Sequence, residues 1–296
     1  MGAAEPLEHA LVRLGAALAG RVAWETRLAW GRRLGRLWWG VDRRHRRIAQ
    51  GNLTQAFSDR PQKWVREITV ANFEHLGTTA VEFGGMFAET PESLLARYRF
   101  EGRERLDRVL EEGRGALLLT AHLGNWELAG LAMAALGYPV HAVGRRLRNP
   151  RIDAWVRSMR ERFGGRVIPH RQAVRPVLRA LRSGGLVAFL LDQRALSREG
   201  VPSVFFGRPV STNRGLATLA LRTGAPVLPA FDRREGAGHV AWCEPPLEPP
   251  PDGPAEQRIR ELTRRFDRVI EEAVRRVPEQ WFWVHRRWRL PKGMTP

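Results

Sequence analysis

Between Gln62 and Phe87 the positions Val65, Ile68, Asn72, Leu76, Ala80, Phe83 and Phe87 recur every three or four residues, the spacing of one buried face on a long helix. Helical patterning extends back to about residue 7, and no strand pattern is read before residue 115. From there the character changes. Short apolar runs at 116–121, 139–144, 166–169, 186–191, 226–231 and 239–243 alternate with helical patterns at 103–112, 125–136, 150–163, 173–183 and 214–223. Such alternation predicts an α/β fold, with a mainly parallel central sheet flanked by helices. The proline-rich stretch Pro245 to Pro251 ends the sheet pattern. It leads into a helix over 255–277, whose stripe of Ile259, Leu262, Phe266, Ile270, Ala273 and Val277 must pack on something. The expectation is one domain over 1–296, with an N-terminal helical, membrane-associating region at 1–90 and an α/β core with a C-terminal helix at 100–296.

The first forty residues decide how that N-terminal region is read. Leu7 to Trp39 is rich in Leu, Ala and Trp but is interrupted by Glu8, Arg13, Arg21, Glu25, Arg27, Arg32, Arg33 and Arg36. A spanning helix needs roughly 20 mostly apolar residues, so the segment reads as amphipathic and interfacial, and a cleavable leader is not expected. One cysteine, Cys243, rules out an internal disulfide, and its neighbours place it on a buried strand. With 49 Lys+Arg against 31 Asp+Glu the net charge is +18, carried almost wholly by arginine. Arginine-biased codon usage accounts for part of this. So basic a surface also suits an anionic partner: nucleic acid, anionic lipid or an acidic protein. Tryptophans crowd both ends, at Trp24, Trp30, Trp38, Trp39 and Trp64 and again at Trp281, Trp283 and Trp288 beside arginines. That pairing fits a membrane interface, stacking on single-stranded nucleic acid, or packing of terminal helices on the core.

The chemistry concentrates at His122-Leu123-Gly124-Asn125-Trp126-Glu127. On a continuous helix, residues five apart are rotated by roughly 140°, so an imidazole and a carboxylate so spaced meet only if the chain turns between them. Gly124 permits the turn and Asn125 is a good helix N-cap, which places His122 at the carboxyl end of a strand and Glu127 in the first helical turn. Open α/β sheets bind their ligands at such strand ends. By spacing alone the two are equally a loop residue and a helix-start acid. Asp192 has the same address after the run 186–191. If the two strands are neighbours it can orient the imidazole as the acid of a triad does, and otherwise it reads as a helix cap.

Taken in order, several blocks resemble the bacterial lipid A biosynthesis late acyltransferases, within the lysophospholipid acyltransferase superfamily. They are Arg47 to Leu53 with Phe57, the His122 to Glu127 block, Arg145 with Asn149-Pro150, Arg160, Gly164-Gly165, Asp192-Gln193, Phe205 to Val210 with Thr212, and Pro278 to Trp288. The resemblance implies an O-acyltransferase without metal or cofactor. His122 is then the general base for an acceptor hydroxyl attacking an acyl thioester, and Glu127 and Asp192 position and polarise the imidazole. A histidine of ordinary pKa near 6.5 suits base catalysis at neutral pH, typically worth about 10²–10⁴ in rate. Arg145 and Arg160 would hold acceptor phosphates, with Asn125 and Gln193 also on the substrate side. In so arginine-rich a chain, each arginine also reads as solvated surface charge. The implied donor is acyl carrier protein or coenzyme A thioester. The implied acceptor is a phosphorylated glycolipid such as a lipid A precursor, or another glycolipid such as a phosphatidylinositol mannoside. The implied location is the cytoplasmic face of the inner membrane, on an anionic lipid surface. Arg194 departs from the acid that family members often carry just after the Asp-Gln pair.

Two rival classes explain less. A nucleic-acid-binding protein accounts for the charge and the Trp-Arg clusters but not for the His-Glu block, and no helix-turn-helix, zinc-finger or RNP signature is present. A thioesterase would share the thioester, yet the chain has no Gly-x-Ser-x-Gly elbow. His122, Glu127 and His141 do not have a recognised metal-ligand spacing.

Overall fold

The computed structural model describes residues 4–196 and 198–291. Four helices come first: α1 (Ala4–Arg21), α2 (Trp24–Val41), α3 (Arg43–Ala56) and α4 (Gln62–Gly85). Then follow α5 (Pro91–Leu95), β1 (Tyr98–Glu101), α6 (Arg103–Glu111), β2 (Ala116–Thr120), α7 (Trp126–Ala135), β3 (Val140–Gly144), α8 (Pro150–Arg162), β4 (Arg166–Pro169), α9 (Val174–Arg182) and β5 (Leu186–Leu190). The chain closes with β6 (Gly200–Phe205), β7 (Arg208–Asn213), α10 (Gly215–Thr223), β8 (Val227–Glu235), β9 (Gly238–Cys243), α11 (Ala255–Arg276) and a 3₁₀ turn at Pro278–Gln280.

Seven strands form the central sheet in the order β1-β9-β8-β2-β5-β3-β4, parallel except where β8 meets β9. The alternation of side chains along β2 explains the layering. Leu117 and Leu119 point into one core with α9, α10 and α11, while Ala116 and Leu118 point to the other with α6 and α7. The sheet-and-helix expectation is met, with two corrections. A strand does precede residue 115: β1 is only four residues long and only half-buried, so it carries no apolar run to read. The antiparallel hairpin β6–β7 was also missed. It stands outside the main sheet, and its polar residues Ser203, Ser211 and Thr212 are buried and so hide the alternation.

Helix α4 departs from a one-faced stripe. Ala80 of that stripe faces solvent, whereas the polar Thr69, Asn72, His75, Thr78, Thr79 and Glu82 are buried. Three glycines explain how α2 comes so near: a Cβ on Gly31 would lie 2.3 Å from Thr78 Cα, one on Gly35 2.1 Å from Phe73 O, and one on Gly77 2.3 Å from Gly31 O. Backbone-close packing of this kind leaves α4 surrounded rather than amphipathic.

Of the tryptophans that crowd the two ends only Trp30 is exposed. Trp24, Trp281 and Trp283 are buried, and Trp38, Trp39, Trp64 and Trp288 pack half-buried against the core. By contrast α1 turns Leu7, Leu11, Leu14 and Leu18 to solvent, at 45–63% exposure. Among the described residues no helix is long and apolar enough to cross a membrane.

Candidate active site

Strands β2 and β5 are parallel neighbours, with Thr120 opposite Leu190, so the residues just beyond their carboxyl ends are brought together. His122 Nδ1 lies 2.8 Å from Asp192 Oδ1, and the His122 backbone N–H donates to Asp192 Oδ2 at 2.9 Å. The indole Nε1–H of Trp281 donates to the same Oδ2 at 2.7 Å. Burial pushes the Asp192 carboxyl up, but the adjacent imidazole and these three donors outweigh it and hold the group below the usual carboxylate range. An ionised Asp192 fixes the proton of a neutral imidazole on Nδ1 and leaves a lone pair on Nε2.

Glu127 is not the imidazole's partner. It sits in the first turn of α7, where the helix dipole favours an anion, and binds Arg160 of α8 through both oxygens: Nη2 at 2.8 Å from each and Nε at 3.2 Å from Oε2. The chain turns as the motif requires, but Glu127, the second residue of α7, meets Arg160 of α8 and makes no hydrogen bond to His122 among the described residues. The edge of the Trp126 indole packs on the imidazole instead, with ring centroids 4.9 Å apart, and Phe282 lies on another side at 5.8 Å.

Asn125 is also corrected. It is the N-cap, accepting from Leu128 N–H, but it is wholly buried, and its amide donates to Glu82 Oε2 at 2.8 Å while its backbone N–H donates to Asp232 Oδ2 at 2.7 Å. It therefore holds the turn and is not among the residues that line the cavity beside His122. Gly124 must be glycine: φ is +60°, and a Cβ would fall 2.2 Å from the Asp232 carbonyl oxygen.

Beneath the turn lies a buried ionic network that the sequence did not disclose. Glu82 of α4 pairs with Arg234 and with His239, and His239 Nδ1 lies 3.0 Å from Asp232 Oδ2. Burial works against a charged His239, yet Asp232 and Glu82 raise its pKa to about 9. His75 Nε2 lies 3.0 Å from the Gly124 carbonyl oxygen, and burial lowers its pKa to about 3. Scattered over α4, β8 and β9, these groups have no common spacing. The one hint in the sequence is a set of charged residues at positions that pattern as core.

The segment after α11 is the motif block Pro278 to Trp288, whose contacts with the site were not legible in the sequence. Trp281 pairs as an isolated bridge with Leu123, Phe282 N–H donates to His122 O at 3.1 Å, and Gly124 N–H donates to Gln280 O at 3.1 Å. Asn52 of α3 donates to Trp283 O and His285 O, both at 2.7 Å, and Asn72 of α4 to Glu279 O and Trp281 O. The N-terminal helices thus secure the strap that secures the histidine loop and the Asp192 carboxylate.

His122 opens on a cavity of about 1050 Å³ at the carboxyl ends of the parallel strands. Its inner part is apolar, with Leu118, Met133, Tyr138, Val140 and Ala188, and Arg145, Arg160 and Arg194 line it too. Arg145 is exposed, and Gln193 lies within 3.3 Å of His122. The arrangement offers a base with a free lone pair, room for an alkyl chain and guanidinium groups for an anion.

Comparison with known proteins gives the family. Residues 11–290 match the family described as bacterial lipid A biosynthesis acyltransferase. The lipid A biosynthesis lauroyltransferase of Escherichia coli (strain K12) is 29% identical over 266 residues, covering 88% of this chain and 85% of that protein. The palmitoleoyltransferase of lipid A biosynthesis from the same organism is 27% identical over 263 residues, covering 88% and 83%. A phosphatidylinositol mannoside acyltransferase of Mycobacterium tuberculosis (strain ATCC 25618 / H37Rv) is 30% identical over 190 residues, covering 63% and 58%.

Proposed function

The chain belongs to the bacterial lipid A biosynthesis acyltransferases, and from that premise we propose that it moves a fatty acyl group from acyl carrier protein to a hydroxyl of a phosphorylated lipid A precursor, with His122 as general base. The observation that carries the reading is the 2.8 Å contact of His122 Nδ1 with buried Asp192, beside a cavity with an apolar interior. In this mechanism Nε2 takes the proton of the acceptor hydroxyl as its oxygen attacks the thioester carbonyl. Collapse of the tetrahedral adduct breaks the C–S bond, and the imidazolium returns the proton to the departing thiolate. Asp192 stabilises the transient imidazolium, as the acid of a triad does.

The acyl chain would lie along Leu118, Met133, Tyr138 and Val140, and the acceptor phosphates near Arg160 and Arg145. Arg160 gives Nε and Nη2 to Glu127, and its Nη1, without a hydrogen bond among the described residues, would take a phosphate oxygen. In this role Glu127 aims the guanidinium rather than the imidazole. The leucines of α1 would seat the enzyme on the inner membrane at its cytoplasmic face, without a spanning helix. Acidic carrier protein, phosphorylated acceptor and anionic lipid would all favour the net charge of +18.

A second acceptor class, a mannosylated phosphatidylinositol, is favoured by the mycobacterial relative. A nucleic-acid reading has little stacking surface, since only Trp30 of the terminal tryptophans is exposed and the others are buried or packed half-buried against the core.

The test is transfer of labelled acyl groups from acyl carrier protein to a lipid A precursor, comparing wild type with His122→Ala under one detergent condition. Loss of transfer with acceptor binding retained supports the base. Transfer unchanged in the variant refutes it. Preference for a coenzyme A donor or a mannosylated acceptor would replace those parts of the reading.

A further inference from the structure

Gln193 directly follows the Asp192 carboxylate, and its side-chain nitrogen lies 3.3 Å from His122 Nε2. In the neutral tautomer whose Nδ1 donates to Asp192, Nε2 carries a lone pair, and the amide nitrogen of Gln193 that faces it is then the matching donor. This is the only side-chain hydrogen bond of Gln193 among the described residues, and it is long for its type. An acceptor hydroxyl arriving at Nε2 displaces it easily. The amide N–H groups then stand next to the atom that receives the proton, where the attacked carbonyl must also lie.

We infer that Gln193 is a further catalytic residue, whose side-chain amide donates to the thioester carbonyl oxygen as that oxygen becomes an oxyanion. The inference rests on the acyl-transfer reading with His122 as base. Atoms and electrons balance as in the mechanism above. The hydroxyl oxygen forms the new C–O bond, its proton passes to Nε2, and the carbonyl π pair moves onto the oxygen that accepts from Gln193. When that pair returns, the C–S bond breaks, and the sulfur leaves with the proton from Nε2.

A donor of this kind is effective only if it is aimed before the reaction, since reorganisation would consume the stabilisation. The surroundings of Gln193 meet that condition through its main chain. Arg287 is completely buried, and its Nη1 donates to the Gln193 carbonyl at 3.1 Å and to the Ser211 carbonyl at 2.9 Å. Its Nη2 donates to Asp267 Oδ1 at 2.6 Å and to Thr212 Oγ1 at 2.7 Å. The next residue is held too, with Arg194 N–H donating to His285 Nε2 at 3.0 Å. Both polar atoms of the peptide that follows Gln193 are therefore held by the C-terminal strap, and Arg287 ties that strap in turn to α11 and β7, while the Gln193 side-chain amide faces the cavity. A fully desolvated ion pair is a costly way to hold a loop unless the loop's position matters, and Arg287 is here a positioning residue.

The experiment is steady-state kinetics of Gln193→Ala and Gln193→Glu, with the acyl carrier protein donor and the lipid A precursor each varied. Removal of one oxyanion donor lowers kcat by about 10²–10³. Both variants are expected to fall by that much, with both KM values within about twofold of wild type. Gln193→Glu should fall at least as far as Gln193→Ala, because the near-isosteric carboxylate repels the oxyanion. A raised KM with kcat preserved would make Gln193 a binding residue and overturn the inference. Arg287→Lys should lower kcat by a smaller factor, in protein shown by thermal melting to be folded. If that variant fails to fold, the Gln193 pair still decides. His122→Ala separates the two levels of claim. Activity retained in His122→Ala removes the base reading, whereas an inactive His122→Ala alongside a Gln193→Ala of undiminished kcat removes only the oxyanion role.

Discussion

Trp281 and Asp192, 89 positions apart, share a hydrogen bond of 2.7 Å from the indole nitrogen to the carboxylate that also receives the His122 imidazole and backbone N–H. A buried carboxylate needs its hydrogen-bonding capacity satisfied, so the C-terminal strap is part of the site and not a trailing end. Trp281→Phe keeps an aromatic ring and removes the donor. It should cost about 1–3 kcal/mol of stability, as losing one partner of a buried polar group does. Denaturant unfolding read alongside kcat is the check, and kcat should fall by less than in Asp192→Asn.

The two acids beside the motif should behave differently. In Asp192→Asn the amide can donate to Nδ1, which moves the imidazole proton to Nε2 and removes the base, so kcat should drop by about 10³–10⁴. Glu127→Gln breaks only the contact with Arg160, whose two side chains are about a quarter exposed. It should raise acceptor KM by up to about tenfold and leave the pH–rate profile where it was. A shifted profile in Glu127→Gln would return Glu127 to the imidazole.

Stability should peak near pH 6.5 and fall on both sides. His239 is raised to about 9 in the folded protein, chiefly by Asp232 and Glu82 overcoming burial, so its contribution is complete below the unfolded value near 6.5 and is lost as pH rises through 9. His285 is lowered to about 4, first by burial, so between pH 6.5 and 4 the unfolded chain takes the proton and stability falls as the pH drops. Tm measured from pH 4 to 10 tests both limbs. His239→Gln should flatten the alkaline one, although its baseline will be lower because Asp232 and Glu82 lose their counter-charge.

The leucines of α1 make a membrane prediction. Leu11 and Leu14 are 60% and 57% exposed, and burying such a side chain in an apolar phase is worth about 1.5–3 kcal/mol. Replacing both with glutamate should weaken flotation with anionic vesicles by about a hundredfold or more, a conversion of about 3 kcal/mol, while the melting temperature stays close to wild type. Undiminished flotation would move membrane contact to another surface.

Much of this protein could be read from the chain itself, because local periodicity records burial directly. The runs 116–121 and 186–191 read as buried strands, and Gly124 and Asn125 announced the turn and the helix cap before Glu127. The ordered motifs named the family. Periodicity failed where burial and polarity part company: in β6 and β7, whose polar residues are internal, in four-residue β1, and on α4, where glycines bring α2 close enough to bury Thr78 and where Glu82 is buried against Asn125, Arg234 and His239.

Which charges meet was decided by tertiary structure alone. Glu127 is five residues from His122 and belongs to Arg160, while Asp192, seventy residues away, holds the imidazole because β2 and β5 are neighbours. Trp281 and Arg287 reach the same loop from beyond α11, and Glu82 reaches Asn125 from α4. Side-chain patterning along the chain determines which face of an element is buried. Contacts between elements depend on strand order and helix approach, and those follow from packing the whole chain at once.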